Sequence, residues 1–266
     1  MVQVARPTDA PRVNAYITTS LPRGVLSKLK ESFELGARSR FNPLVELVIK
    51  NEPAYHGKSH PDIRRAEDAA GRTDGFFIID DRAASDDAIW YIDVFTDDLR
   101  VGTGEADSTG ILLKILIRTD CVALTWVNYY VANMDIVADL NHCGVHLPLT
   151  KDFHQERVSN CGGLNVKAAA RHQPLWLTAE PGEFDESTDP NLLKTFVPRP
   201  EKAARLRDSL AREHGVIPQW TVPFAAKPIT LPDGTEKTFP RGTVRLQQVW
   251  DPDFPWPEYK WPEGSL

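Results

Sequence analysis

The chain has 266 residues, a formal net charge of −6, 21 prolines, seven tryptophans and three cysteines. Such a length can bury a large core without disulfide staples, as one domain with a long extension or as one domain plus a smaller one. The acidic balance excludes a compact basic polyanion binder, so any nucleic-acid contact needs a local basic face. Residues 1–12 contain no apolar stretch suited to a signal peptide, and the most apolar region, 111–131, is interrupted by Lys114, Arg118 and Asp120. A reduced, cytoplasmic protein without a membrane span is therefore expected.

Residues 13–18, VNAYIT, combine β-branched and aromatic side chains and predict a strand. Ser20, followed by Leu21 and Pro22, has the pattern of a helix start with Ser20 as N-cap. The helix is expected over 21–35, with Leu26, Leu29 and Phe33 on one face and Gly36 as its stop. Residues 44–49 predict a second buried strand, and strand, helix, strand in this order implies a parallel pair. Residues 76–79 form the third expected strand, ending in Asp80 and Asp81; the fourth, 89–95, is interrupted by Asp93, and the fifth, 111–117, is nearly all aliphatic. Continuous apolar runs imply strands covered on both faces. Helical character returns over 120–140, with a break near Asn133.

Residues 1–150 are thus expected to form an α/β core domain, three-layered and Rossmann-like, on a mostly parallel sheet. Residues 151–266 are expected to form an irregular extension rich in Pro and Trp, packed on the core. It should contain a helix over 200–214 with Ala203, Leu206 and Leu210 inward, a hairpin over 227–239 turning at residues 231–234, and an aromatic tail over 249–261.

Three constellations can carry chemistry. At the turn Thr18-Thr19-Ser20, the end of a parallel strand meets a helix start, where ligands collect in open α/β sheets. Ser20 or Thr19 is there a candidate nucleophile, and a helix cap is the plainer role. Asp80, Asp81 and Asp93 can hold a guanidinium or ammonium group, or can be neutralised by Arg72, Arg82 or Arg118. Tyr129, Tyr130, Asn133 and Asp135 bring phenol, amide and carboxylate groups together and can serve as acid, base or amine-positioning groups. Cys161, followed by two glycines, is a further candidate nucleophile with His142 or His154 as base, and the His142, Cys143 and His146 spacing matches no established zinc finger closely. Basic residues cluster twice. Arg23, Lys28 and Lys30 lie on the first helix and its approach, and Lys202, Arg205 and Arg212 lie along the late one, where a stripe can track phosphates or simply face solvent.

The runs AYITTS (15–20), EPAYHG (52–57), FFIIDDRA (76–83) and VANMDI (131–136) resemble, in order and spacing, a small α/β domain family of bacteria and fungi with no assigned function. The resemblance covers about residues 13–147, and Asn133-Met134-Asp135 is its most specific piece. The position of Ser20 is usually acidic in bacterial members, so this chain departs there. The chain is also similar to the fungal arginine-containing cyclodipeptide synthases, in its size, its α/β domain, its strand-end hydroxyl and acidic residues, and its Tyr-rich helix. That similarity implies aminoacyl-tRNA substrates, arginyl-tRNA and a second one, and acyl transfer to Ser20 or Thr19. It further implies proton shuttling by Tyr129 or Tyr130, with no cofactor, since the aminoacyl ester is already activated. A protein-interaction module using the Trp- and Pro-rich tail is the expectation from another class.

Overall fold

The computed structural model describes residues 3–4, 10–37, 44–166, 174–230, 235–251 and 253–255. The chain divides into two compact units, one within Asp9–Lys167 and the other chiefly within Ala168–Pro257. The boundary falls at 167 rather than at 150. Residues 151–166 belong to the first unit because they are tied to its edge strand. Ser159 N–H donates to the Leu116 carbonyl (2.9 Å), Arg118 N–H donates to the Ser159 carbonyl (2.9 Å), and the Gln155 amide both accepts from and donates to the Leu116 backbone.

The first unit is a mixed α/β fold. Its strands are β1 (Arg12–Ile17), β2 (Glu46–Asn51), β3 (Phe76–Ile79), β4 (Ala88–Phe95) and β5 (Leu112–Arg118), in the order β2-β1-β3-β4-β5. Helix α1 (Val25–Ala37) crosses from β1 to β2 and helix α2 (His60–Ala69) from β2 to β3, so β1 runs parallel to both neighbours, as the strand-helix-strand pattern required. The other two pairings, β3 with β4 and β4 with β5, are antiparallel, so the sheet is mixed rather than mostly parallel. Connection length explains the difference. Only residues 80–87, with the single-turn α3 (Arg82–Ser85), join β3 to β4, and a parallel return needs about a dozen residues or more.

Alternation along the strands sends side chains into two cores. Ala15, Phe77, Ile79, Tyr91 and Ile115 pack with Leu29 and Phe33 of α1 and with side chains of α5 (Val122–Tyr130) and α6 (Ile136–His142). Tyr16, Phe76, Ile78 and Ile92 pack instead with Ile63 of α2. Between β4 and β5 lies the short α4 (Asp98–Gly102). The break expected near Asn133 is present, since α5 ends at Tyr130 and α6 starts at Ile136.

Helix α1 begins four residues later than its sequence pattern predicts. Gly24 has φ +83°, outside the helical range, and its carbonyl accepts the bond from Lys28 N–H (3.0 Å) that opens the helix. Ser20 therefore lies well upstream and does not cap. Gly36 is not a stop but a buried position inside the helix, where an added Cβ would stand 1.8 Å from the Asp120 carbonyl oxygen.

In the second unit, strands Gln3–Val4, Pro174–Ala179, Val244–Trp250 and Val216–Ile217 lie side by side in an antiparallel sheet, and Phe224–Ala225 also pairs with Val244–Trp250. The helix expected over 200–214 is replaced by strand Ala203–Leu206, paired with Phe184–Ser187, and the six-residue α8 (Asp208–Glu213), with α7 (Pro190–Leu193) between the two strands. Tertiary pairing overrides the helical spacing here, because Ala204 also exchanges two backbone bonds of 2.9 Å with Thr221. Strands Ile229–Thr230 and Glu236–Lys237 form the expected hairpin pairing, while its turn residues and most of the aromatic tail lie outside the described residues. No helix among the described residues is long and apolar enough to cross a membrane.

Helix α2 is positioned by a buried carboxylate. Ser59 caps it by accepting from Asp62 N–H (3.3 Å). Two turns on, Glu67 is 1% exposed and accepts from Tyr16 Oη (2.8 Å), Tyr55 Oη (2.5 Å), and Arg72 Nε and Nη2 (2.7 Å each). Burial alone would raise its pKa, but the Arg72, Tyr55 and Tyr16 bonds outweigh burial and hold the carboxyl at about 2. Its stabilisation is thus complete above the ordinary value of 4.5 and is lost as pH falls through about 2. Glu67→Gln should destabilise the fold by about 3 kcal/mol in neutral urea unfolding, since it strands a buried partner set. The gap to wild type should narrow as pH is lowered from 4.5 towards 2; a gap independent of pH would assign the loss to packing.

Candidate functional site

The sequence-predicted site residues fall at opposite ends of the sheet. Thr19, Ser20, Asp80 and Asp81 follow the carboxyl ends of β1 and β3. Asp93 comes just after Ile92, which is paired with Phe76 at the amino end of β3. Five residues of extended chain, roughly 16 Å, separate the Asp80 level from the Asp93 level. Helix α5 starts near the carboxyl end of β5 and runs back, which places Tyr129 and Tyr130 with Asp93. The Tyr129 ring lies 5.3 Å from that of Tyr91.

The far end is occupied by its own internal bonds. Tyr129 Oη donates to Asp139 Oδ2 (2.7 Å), and burial, followed by the Asp139 charge, pushes its phenol well above the usual range. It stays protonated and cannot act as a base. Tyr130 is 71% exposed and stacks on Trp126, with centroids 4.8 Å apart. Asn133 donates to Asn128 Oδ1 (3.0 Å), and it does not share a helical face with Tyr129, because α5 has already ended. Asp135 caps α6 through Val137 N–H (2.7 Å) and accepts two bonds from Arg100 (3.0 and 2.8 Å), which holds its carboxyl below the usual range. The Asp93 carboxyl is raised by burial.

At the carboxyl end the backbone draws the strand-end loops together. Thr18 N–H donates to the Ile79 carbonyl and Gly57 N–H to the Thr18 carbonyl, both at 3.1 Å. Thr19 Oγ1 donates to Asp81 Oδ1 (3.1 Å), while Ser20 is exposed. Asp80 is half-buried. Its Oδ1 accepts from Arg82 N–H (2.9 Å), and its Oδ2 is 3.7 Å from His60 Nε2, longer than a hydrogen bond. Burial opposes ionisation of Asp80, but His60 and the Arg82 amide outweigh it, so the carboxyl stays below its usual range and is charged at neutral pH. The Arg82 guanidinium turns to Asp86 instead. The His60 ring packs edge-on against Trp90 (5.3 Å), and Lys114 Nζ lies 5.0 Å from the Trp90 ring centroid.

His60, Trp90 and Lys114 were not singled out by the sequence pattern for chemistry. The available signal was Lys114, a lysine inside an aliphatic strand, just as Asp93 interrupts β4. The diagonal meeting of Trp90 and Lys114 follows from the register in which Trp90 pairs with Leu116 and Ile92 with Lys114.

A second concave region involves Cys161. The residue has φ +53°, strained for a side chain with a Cβ, and its Sγ is 3.7 Å from Thr125 Oγ1 and 3.6 Å from the Cys121 carbonyl. It lines a cavity of about 640 Å³ together with His142, Asn128 and Asp139. Hydrogen bonding from the Cys121 thiol, with Thr125 adding to it against burial, lowers the Cys161 pKa. His154 lines a different cavity, so it is not the partner of Cys161.

The basic residues do not form phosphate-tracking stripes. Lys28 lies 3.8 Å from Asp87, Lys30 pairs with Glu34 (3.5 Å), and Arg23 is an exposed turn residue. Lys202 pairs with Glu186 and Arg205 with Asp208, while Arg212 sits on the short α8, so these three share no long helix. Comparison with known proteins gave no matching family model, no similar curated protein and no similar solved structure.

Proposed function

We propose that the first unit is an acyltransferase that takes aminoacyl groups from aminoacyl-tRNA, arginyl-tRNA among them, and joins two into an arginine-containing cyclic dipeptide. One observation carries this reading: the Thr19 hydroxyl, next to Ser20, donates to Asp81 at the strand end that also holds Asp80, whose carboxyl lies below its usual range. The helices that pack on both sides of the sheet also support the three-layer, Rossmann-like description. In the proposed cycle the Ser20 hydroxyl attacks the aminoacyl ester, the tRNA hydroxyl leaves, and the amine of a second aminoacyl-tRNA displaces Ser20 to form the first amide. Attack of the remaining free amine on the remaining ester closes the ring. In this reading Asp81 pairs with the guanidinium of the arginyl group. In the same reading the proton-transfer role falls to Asp80 and His60, at the same end as Ser20, and not to Tyr129 or Tyr130.

Expression in a bacterial host, with mass-spectrometric profiling of the medium, tests the reading. Arginine-bearing diketopiperazines should appear with wild type, vanish with Ser20→Ala and fall about 100-fold with Asp80→Asn. Tyr130→Phe should leave the yield unchanged. Absence of any such product from folded wild-type protein would refute the assignment.

The Cys161 cavity supports a second reading, a thiol-dependent hydrolase with His142 as base, because the strained cysteine and the histidine line the same space. Ester cleavage sensitive to iodoacetamide and lost in Cys161→Ser is the expected result. Labelling of Cys161 no faster than that of the buried Cys143, with cleavage untouched, rules the thiol out.

A further inference from the structure

A cavity of about 200 Å³ opens beside the Asp80–His60 pair, against β4 and β5. Its lining carries three cationic side chains, Arg82, Lys114 and Arg157, and a single carboxylate, Glu156. Arg82 is tethered by Asp86, and Arg157 Nη2 donates to the His142 carbonyl (2.6 Å), so both guanidinium groups are fixed in place. Lys114 differs. Its half-buried ammonium lies over the Trp90 ring and feels the charge of Asp80, but makes no ion pair or hydrogen bond within contact distance among the described residues. One further buried nitrogen on this face of the sheet, His60 Nδ1, lacks a hydrogen-bond partner among the described residues, while Trp90 Nε1 is turned to Asp80.

A lysine ammonium can only donate. A desolvated ammonium without an acceptor is unfavourable, and an oxygen-bearing anion removes that deficit. The small volume suits a carboxylate or phosphate group rather than a whole nucleoside. A guanidinium, which has donors alone and the wrong charge, is repelled. Arginine recognition therefore belongs to Asp81 outside the cavity, and the cavity itself has the opposite selectivity.

We propose that this cavity is an oxyanion site, in which Lys114 Nζ binds a carboxylate or phosphate oxygen with Arg157 completing the charge and the Trp90 ring as floor. Anion binding by the full chain is measured without turnover, so its outcome is independent of whether the acyl-transfer reading holds. Isothermal titration with inorganic phosphate and, separately, succinate distinguishes the two anion sources. At least one should bind wild type, with affinity about tenfold weaker in Lys114→Gln, as expected for loss of a charge-assisted bond. Lys114→Arg should restore most of that loss, and Arg157→Gln should weaken the same anion. If neither anion binds, if Lys114→Gln binds as tightly as wild type, or if arginine binds this cavity in preference to both, the site is not an oxyanion site. Should Lys114→Gln fail to fold, the Lys114→Arg and Arg157→Gln titrations decide between the same outcomes.

Discussion

The geometry at the carboxyl end of the sheet depends on one buried carboxylate. Glu67 joins three segments distant in sequence: β1 through Tyr16, the turn after β2 through Tyr55, and the exit of α2 through Arg72. A buried charge is tolerated only when its hydrogen-bonding capacity is filled, and here two phenols and a guanidinium fill it. Tyr16 lies three residues before Thr19, Tyr55 two before Gly57, and α2 opens with His60. Fixing Glu67 therefore fixes the hydroxyl turn, the loop that binds it, and the imidazole that faces Asp80.

The two ends of the sheet are chemically unlike. At the end that holds Asp93, the Tyr129 phenol is spent on Asp139, and Asp135 on Arg100, which ties α4 to the start of α6. At the other end, among the described residues, Asp80 is held by the Arg82 amide and faces His60 rather than a guanidinium, Asp81 accepts from the Thr19 hydroxyl, and Lys114 lies over Trp90 within reach of the Asp80 charge. Unmatched polarity at strand ends is what an α/β sheet with a ligand site presents.

Much of this fold was legible in the sequence. The five strands of the first unit follow from apolar runs, and the parallel pair follows from the strand-helix-strand order. Strand direction in the second half of the sheet does not reside in apolar pattern at all. It resides in the eight-residue link from Ile79 to Ala88, a signal that was present and carried less weight than the runs around it. Ser20 had the right neighbours for a cap, but Gly24 adopts a left-handed conformation that moves the helix start beyond it. The spacing of Ala203, Leu206 and Leu210 satisfies a helix, whereas pairing with Phe184–Ser187 and with Thr221 selects a strand. Of the candidate site, the aspartates were visible because carboxylates at strand ends are unusual. His60, Trp90 and Lys114 were not, because their meeting depends on register and on where α2 docks.

The contact between Gly36 and the Asp120 carbonyl has a consequence for how this protein can drift. One face of α1 is exposed and can accept substitutions, yet on its buried face even a single methyl group at Gly36 would pry the helix from the turn behind it. That helix descends directly from the Thr19–Ser20 loop. Mutational tolerance along α1 is therefore uneven: Leu29 and Phe33 resist truncation, whereas Gly36 resists any enlargement, and through it a change remote from the strand-end groups would disturb their alignment.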